Sequence, residues 1–589
     1  MCGIAGQVSA DERPVDRQLI AKMGECLRHR GPDDSGLYVS GRFGFAHRRL
    51  SVLDVTMAGQ QPMWNERKTV CIVFNGEIYN FEELRANLKS HHSLRSRTDT
   101  EVLLYLYEDY GLQCVSMLRG MFAFAIWDEK ANRLVLARDR LGEKPLFYWR
   151  TDQGLFFASE LKALLINGCS PDIDPIAIHH YLTFQYIPAP LTIFRGIRKL
   201  QPGHLLVYED GKLSENAYWS LRYDNKLVLR SENEYREEFF ALLKESIRLR
   251  LISDVPLGAF LSGGVDSSSI VAMMSELGQG PVKTFSVGFK EEAYNELPYA
   301  REVARRFGTD HREIIIEPSV IEILPALVYV YDEPYADSSA IPTYYIAKFS
   351  REWVTVVLSG DGGDEILAGY PRYQFTYFDR LAARFPPPGN RKQFSKFLGG
   401  ILHDLPWGAS MKASRLRSFK SFSQIYLGRI CYFSPAEKAQ LYNPDFRAQV
   451  GNKDSDELLI SWFEDAQASE LLNQLLAVDT RSYLPDDLLV KLDRATMAHG
   501  LEARSPFLDH KLVEFAASLP IHLKVREGNG KYLLKSAMRG LLPDHILDRP
   551  KQGFGVPIDR WFRCECHAFL RDTLLSSRSV GRGYFQEAY

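Results

Sequence analysis

Apolar runs about as long as a strand alternate with amphipathic stretches through the second half of the chain. Four apolar runs have the length and β-branched content of buried strands, at residues 255–261, 282–289, 311–316 and 354–358. Helical spacing of apolar residues predicts helices at 234–252, 297–307, 319–331 and 344–349. This alternation is typical of a doubly wound parallel sheet, which binds its ligands at the carboxyl ends of the strands.

The first part of the chain, up to about residue 205, has short strands joined by turns. Mixed apolar and β-favouring residues predict strands at 36–39, 43–46, 70–75, 121–127, 134–138, 146–149 and 155–157. Helices are predicted at 16–28, 81–89 and 100–110, giving an α+β layered domain. Pro202-Gly203-His204 and the polar run 209–225 mark a change of domain, so we expect domains at 1–210 and 225–589.

Length, composition and net charge limit the kinds of molecule that the protein is expected to bind. A chain of 589 residues exceeds what one hydrophobic core usually serves, and its net charge of −2 provides no field that would attract nucleic acid or an anionic membrane. The eight cysteines are scattered, and there is neither a signal peptide nor an apolar run of membrane-spanning length. We therefore expect a cytoplasmic protein that acts on small molecules without nucleic-acid or membrane partners, and a homodimer stays open.

Two glycine-rich loops follow predicted strands and carry the candidate chemistry. The first reads Ser-Gly-Gly-Val-Asp-Ser-Ser at 262–268, where Gly263 and Gly264 let the backbone approach a ligand and the next helix begins with free NH groups. Those NH groups favour a phosphate. The loop lacks the lysine and spacing of a Walker motif, and its carboxylate, Asp266, indicates a bridging magnesium ion. The second, Ser-Gly-Asp-Gly-Gly-Asp-Glu at 359–365, repeats this design with Asp364.

The first loop resembles the pyrophosphate loop of ATP pyrophosphatases, and five further segments extend the resemblance to the synthetase domain of glutamine-hydrolysing asparagine synthetases. These segments are residues 285–289, 359–365, 483–494, 502–509 and 549–554. The resemblance implies roles for individual residues in binding ATP and in catalysis. By this resemblance, adenosine is contacted by Leu261, Val287, Ser359 and Gly360, and the phosphates are bound by Ser262, Gly263, Gly264 and Ser267. Mg²⁺ is held by Asp266 and Asp364, and Glu333 and Lys551 act on the intermediate and the transition state.

Cys2 is the candidate nucleophile of the first domain. If Met1 is removed, Cys2 has a free α-amine whose pKa near 8 suits a base for its own thiol. Five segments in order, at 1–6, 28–33, 46–51, 75–80 and 98–101, are similar to the glutaminase domain of class II amidotransferases. That resemblance implies an oxyanion hole and a glutamine pocket. It assigns Asn75 and the NH of Gly76 to the oxyanion hole, Arg49 to the glutamine α-carboxylate, Glu77 and Asp99 to its α-ammonium, and Leu50 and Val52 to the remaining pocket.

The resemblance covers nearly the whole chain and implies a fold and a reaction. The fold is an α+β N-terminal-nucleophile layered sandwich followed by an α/β doubly wound parallel sheet of ATP-pyrophosphatase type. The reaction is ATP-dependent synthesis of asparagine from aspartate, through an aspartyl-adenylate and internally transferred ammonia from glutamine. One alternative is a related amidotransferase that amidates another carboxylate, such as a sugar acid in surface-polysaccharide assembly. Another is a non-catalytic nucleotide or glutamine sensor, which retention of the nucleophile and the metal ligands disfavours.

The segment 372–438 is strongly basic, with twelve Lys or Arg against three Asp or Glu. A solvated helical cover is the favoured interpretation, and a contact with an acidic acceptor or partner is the alternative.

Overall fold

The computed structural model describes residues 1–11, 13–89, 92–167, 171–223, 230–278, 280–316, 320–373 and 422–588. Its first part contains two six-stranded antiparallel sheets. In spatial order, the first sheet consists of Ile197–Lys199, Phe147–Thr151, Gly154–Ala158, Gly3–Ser9, Phe43–Arg49 and Asp34–Ser40. The second consists of Lys212–Ala217, His204–Glu209, Arg133–Arg138, Gly120–Asp128, Val70–Ile78 and Met63–Trp64.

The two sheets pack face to face because alternate residues of their strands are apolar. Ile4 and Phe45 of the first sheet share one buried cluster with Val73 and Ala125 of the second. Helix Arg17–Glu25 packs on the outer face of the first sheet, and helix Asp99–Tyr110 packs on the outer face of the second. Helix, sheet, sheet and helix therefore form a layered sandwich, as the sequence predicts.

Several strands of this part were not predicted, among them Met63–Trp64, Ile197–Lys199 and His204–Glu209. The strand Gly3–Ser9, which was not predicted, pairs with strands on both sides, so Cys2 immediately precedes a central strand. Lys212–Ala217 was expected to belong to a linker, yet it pairs with His204–Glu209 and extends the second sheet past residue 210. Short helices connect these strands at Phe81–Ala86, Cys114–Met117, Leu161–Leu164 and Pro175–Phe184.

The second part is built on a five-stranded parallel sheet, which confirms the predicted class. The spatial order is Asp310–Ile315, Lys283–Gly288, Leu257–Phe260, Val356–Leu358 and Glu502–Arg504. The chain first winds from Leu257–Phe260 toward one edge and later returns to build the other edge from Val356–Leu358. The strand order therefore reverses between these two strands, and a doubly wound sheet binds its ligand at such a switch point.

Helices cover both faces of this sheet. The predicted helices are present as Glu232–Arg250, Leu297–Phe307, Val320–Tyr331 and Ala340–Arg351, and Val265–Leu277 follows the first glycine-rich loop. Further helices are Gly363–Ile366, Phe422–Ile430, Pro435–Leu441, Pro444–Val450, Ser455–Glu464, Leu471–Arg481, Leu489–Met497, His510–Ser518, Ile521–Lys524, Tyr532–Met538, Asp544–Leu547, Ile558–Arg563, His567–Leu574 and Ser577–Val580. A two-stranded ribbon joins Val525–Arg526 to Asn529–Gly530.

Most of the basic segment 372–438 lies outside the described residues, so the structure does not distinguish its two interpretations. In the described ranges, every helix is too short or too polar to cross a membrane.

Candidate active sites

Cys2 and Asn75 face each other across the two sheets of the first part. The backbone NH of Cys2 donates to Asn75 Oδ1 at 2.9 Å, and both residues are buried. Asn75 Nδ2 is buried and has no hydrogen-bond partner within the described chain. This amide can therefore donate to an oxygen that develops negative charge beside Cys2.

Burial raises the pKa of the Cys2 thiol, so the resting group is protonated and needs a base before it can attack.

The backbone of Gly76 lies too close to a neighbouring strand to accept a side chain. A Cβ on Gly76 would lie 2.1 Å from the carbonyl oxygen of Met121, so only glycine fits here. Arg49 is buried and donates through Nη1 to the carbonyl of Thr56 at 2.8 Å, which anchors the following loop. Leu50 and Val52 lie in one apolar cluster with Met1. The structure thus gathers the expected pocket residues around Cys2, while their roles toward glutamine stay predictions.

Glu77 and Asp99, expected to bind an α-ammonium, lie in a strongly electrostatic environment. Burial raises the pKa of Asp99 to about 6, although its carboxylate accepts from the NH groups of Ile78 and Thr100, each at 2.8 Å. Burial and then the charge of Glu502 raise the pKa of Glu77 well above its ordinary value, and Arg504 opposes them. Both Glu502 and Arg504 come from the parallel sheet, so the second part of the chain contributes to this site.

Met1 lies inside the same site. Its α-ammonium donates to Glu502 Oε2 at 2.8 Å, and both side chains are fully buried. The Met1 side chain packs in an apolar cluster with Met121 of the first part and Val356 of the second. Removal of Met1 would therefore open space between Cys2 and the parallel sheet.

The two glycine-rich loops meet at the switch point of the parallel sheet. A Cβ on Gly360 would lie 3.0 Å from the Cβ of Asp266, and one on Gly363 would lie 2.7 Å from Asp266 Oδ1. Gly263 has a φ of +73°, which favours glycine, and a Cβ there would lie 2.5 Å from the Tyr299 Cβ. The glycines of both loops thus permit the close approach that brings their carboxylates together.

Two lysines neutralise the carboxylates of Asp266 and Asp364. Lys531 Nζ lies 2.5 Å from Asp266 Oδ2 and 2.6 Å from Asp364 Oδ1. Lys551 Nζ lies 2.7 Å from Asp364 Oδ2. Although burial opposes them, Lys531 and Lys551 hold the pKa of Asp364 below its usual range, whereas burial raises the pKa of Asp266. Asp364 is therefore the firmly ionised member of the pair.

The residues fit a magnesium site completed by phosphates. Asp266 Oδ1 is buried without a hydrogen-bond partner in the described ranges, and both carboxylates reach the same Lys531 nitrogen. Mg²⁺ is commonly held by one or two carboxylates together with substrate phosphates. Within the described chain there is no group of three or more metal-ligating side chains.

The other residues expected at the nucleotide surround these loops. Leu261 is buried and follows the strand Leu257–Phe260, and Val287 is buried in the neighbouring strand. Ser262 Oγ lies 3.1 Å from Ser267 Oγ and accepts from the NH of Gly264 at 3.2 Å, which closes the first loop. In the second loop, Ser359 donates to Asp361.

Glu333 and Lys551, expected to act on the intermediate and the transition state, have different partners in the described chain. Glu333 Oε1 lies 2.8 Å from Lys199 Nζ, and its Oε2 accepts from the NH of Ile193 at 3.1 Å. Both partners belong to the segment before residue 210. Glu333 therefore joins the two parts of the chain, while Lys551 contacts Asp364.

Sequence reasoning assigned no role to several residues that complete these sites. Lys531 follows a glycine and matches no motif, so only its position between two distant aspartates reveals it. Arg30 Nε donates to the Cys2 carbonyl at 3.1 Å, and its Nη1 donates to Asp493 at 2.8 Å. The segments that contain Arg30 and Arg504 were identified as motifs, but their contacts require knowledge of how the two parts pack.

The fold and the two sites define a class of protein. The first part of the chain is a two-sheet sandwich in which a cysteine precedes a central strand, and the second part is a parallel sheet with paired glycine loops at its switch point. The first part has an N-terminal-nucleophile glutaminase fold, and the second part has an ATP-pyrophosphatase fold. Residues 1–219 match the model of the glutamine amidotransferase domain, and residues 238–589 match that of asparagine synthase. The chain belongs to the asparagine synthase family.

Curated relatives match it over nearly its full length. Asparagine synthetase [glutamine-hydrolyzing] 1 of Bacillus subtilis is 35% identical over 588 residues, covering 98% of this chain and 90% of that protein. A putative asparagine synthetase [glutamine-hydrolyzing] of Mycobacterium tuberculosis is 34% identical, covering 96% of this chain and 88% of that protein. Asparagine synthetase [glutamine-hydrolyzing] 3 of Bacillus subtilis is 31% identical, covering 94% of this chain and 87% of that protein.

Proposed function

We propose that the chain is a glutamine-hydrolysing, ATP-dependent asparagine synthetase that uses aspartate as the acceptor. The observation that carries this proposal is the presence of two chemically distinct candidate sites in one chain. Cys2 lies beside Asn75, whose Nδ2 has no hydrogen-bond partner in the described chain, and the carboxylates of two glycine loops meet beside Lys551. A sensor would need neither a nucleophile with an oxyanion donor nor a lysine beside paired carboxylates.

In the first site, Cys2 acts on the side-chain amide of glutamine. After Met1 is removed, the α-amine of Cys2 takes the thiol proton, and the sulfur bonds to the amide carbon. Asn75 Nδ2 and the NH of Gly76 stabilise the oxyanion. The α-ammonium of Cys2 then returns its proton to the leaving nitrogen, and collapse of the intermediate breaks the carbon–nitrogen bond and releases ammonia. Water then hydrolyses the thioester to glutamate. Arg49 holds the α-carboxylate of glutamine, and Glu77 and Asp99 hold its α-ammonium.

In the second site, a carboxylate of the acceptor attacks the α-phosphate of ATP and releases pyrophosphate. Leu261, Val287, Ser359 and Gly360 surround the adenosine, and the first loop binds the phosphates through Ser262 and Ser267. Lys551 offsets charge that develops on the α-phosphate in the transition state. Asp266 and Asp364 would hold Mg²⁺, which neutralises phosphate charge when it is bound. Ammonia then displaces AMP from the acyl-adenylate.

Ammonia has to pass from Cys2 to the second site. An apolar cluster spans the two parts of the chain, with Leu50, Val52 and Tyr79 on one side and Val356 and Met497 on the other. Apolar surroundings do not protonate ammonia to ammonium, so this cluster is the region through which we propose internal transfer.

The identity of the acceptor follows from the family rather than from a contact seen in the structure. A sugar acid is the alternative acceptor, because the segment 372–438 is basic and would attract a polyanion over a long distance. Such attraction would fade with added salt, whereas aspartate hardly depends on it. We further propose that the protein acts in the cytoplasm on small molecules, without a nucleic-acid partner, and that a homodimer is the assembly to test by light scattering.

The test separates the two sites and the two acceptors. Mass spectrometry should show that Met1 is absent. Cys2→Ala should abolish glutamine-dependent synthesis, while free ammonia still supports aspartate-dependent pyrophosphate release and asparagine formation with weak salt dependence. Loss of both activities in Cys2→Ala would contradict the division of labour. No response of the wild-type protein to aspartate, with ATP, magnesium and ammonia present, would favour the larger anionic acceptor.

A further inference from the structure

The strand Glu502–Arg504 reaches both sites of the protein. It forms the edge of the parallel sheet next to Val356–Leu358, and the side chains of Glu502 and Arg504 are fully buried. The carbonyl of Arg504 accepts from the NH of Ser359 at 2.9 Å, which ties the strand to the second glycine loop. Its side chains point the other way, toward Glu77 and the N-terminus of the chain.

The guanidinium of Arg504 is held in place on three sides. Its Nε donates to Glu502 Oε1 at 2.7 Å, and its Nη1 donates to the carbonyls of Arg250 at 2.8 Å and Ile252 at 2.7 Å. Its Nη2 lies 3.5 Å from Glu77 Oε1 and has no hydrogen-bond partner in the part of the chain that the structure describes. The geometry therefore fixes this nitrogen beside Glu77 and leaves it free to bond to that carboxylate.

Glu77 needs such a cation if it is to bind an ammonium group. Burial, Glu502 and Asp99 all favour its protonated form, and Arg504 is the largest opposing influence, followed by the N-terminal ammonium. A protonated Glu77 would lack the negative charge that attracts an α-ammonium and would offer it fewer acceptor sites. The planar fork of arginine suits this position because it can bond to Glu502 and Glu77 at once.

We propose that Arg504 is a positioning residue of the glutamine site, supplied by the parallel sheet, whose Nη2 bonds to the Glu77 carboxylate and orients it toward the α-ammonium of glutamine. The inference rests on the proposed glutaminase function and adds a residue to it. The glutamine pocket is then complete only when the two parts of the chain are packed together. Because the carbonyl of Arg504 is bonded to Ser359, the same strand connects that pocket to the nucleotide loop.

The test is steady-state glutaminase activity of the full-length Arg504→Met variant. Loss of a charged partner from a desolvated site should raise the KM for glutamine by about 30-fold or more, with kcat changed much less, because Arg504 does not touch the reacting amide. Arg504→Lys retains the charge with a smaller head group and should recover part of the affinity. Ammonia-dependent pyrophosphate release should persist in both variants and shows that the parallel sheet is folded.

Arg119→Met is the matched control. Arg119 is another buried arginine that joins the two parts, through Nε and Asp509 Oδ2 at 2.8 Å, and it does not contact Glu77. Its variant should keep the wild-type KM for glutamine. An equal rise in KM in both variants, or a wild-type KM in Arg504→Met, would overturn the inference. If Arg504→Met does not fold, an unchanged KM in Arg504→Lys would overturn it equally. Failure of the wild-type protein to hydrolyse glutamine would instead defeat the proposed function.

Discussion

Replacement of Asn75 by alanine tests the proposed oxyanion hole directly. The side chain makes one hydrogen bond in the described chain, from the NH of Cys2 to Oδ1 at 2.9 Å, while its Nδ2 is buried and unpaired. The substitution therefore removes one ground-state contact and one donor reserved for the transition state. These two losses should appear in different measured quantities.

The magnitudes separate the two effects. Loss of the bond from Cys2 should cost about 1 kcal/mol of stability, a small change for a chain of this size. Loss of an oxyanion donor should lower kcat for glutamine hydrolysis about 100- to 1,000-fold, or about 2.7–4 kcal/mol, with KM nearly unchanged. Ammonia-dependent synthesis should stay at the wild-type level, because Asn75 lies in the first part of the chain.

The assay is glutamate release with varied glutamine, alongside pyrophosphate release with ammonia and aspartate. Gln61→Ala is the matched control, since Gln61 is another buried amide of this region, where it bonds to Phe74 and Thr100 rather than to Cys2. It should retain most of kcat if it folds. A kcat for Asn75→Ala within a few-fold of the wild type, or a loss confined to KM, would refute the assignment of Asn75 to the oxyanion.

Three further predictions concern charged groups. Asp364→Asn should stop pyrophosphate release and leave glutaminase activity measurable; an unaltered magnesium dependence would contradict its assignment. Lys551→Met should lower turnover for pyrophosphate release more than it weakens ATP binding, because the charge that Lys551 offsets appears mainly in the transition state. A change in ATP affinity alone would argue against this role. Burial lowers the pKa of Lys524 to about 7. Above that pH the unfolded chain binds more protons than the folded protein does. This lysine therefore makes the free energy of unfolding rise with pH, by at most about 1.4 kcal/mol per pH unit between about pH 7 and pH 10. Lys524→Met should remove this rise, which thermal unfolding at pH 7 and pH 9 would measure, and parallel profiles for both proteins would contradict it.

Much of the fold can be read from local patterns in the sequence. The parallel sheet and its helices follow from apolar runs alternating with amphipathic stretches, and the helix Leu297–Phe307 has the predicted bounds. The loops with Asp266 and Asp364 were recognisable because each resembles a family motif, since glycine and aspartate directly after a strand also occur in plain turns. Strand Gly3–Ser9 escaped prediction because its small residues, such as Gly3 and Gly6, give a weak strand signal, although both are needed for close packing.

The sequence by itself determined the candidate catalytic and binding residues, since the motifs around Cys2, Asn75, Asp266 and Asp364 are short and contiguous. Only the tertiary structure decided which residues complete each site across long distances in the chain. Lys531 reaches Asp266 over 265 positions, and Glu333 contacts Lys199 rather than Lys551. Local sequence does not encode such contacts, because they depend on how separate sheets pack and on where each buried charge finds its partner.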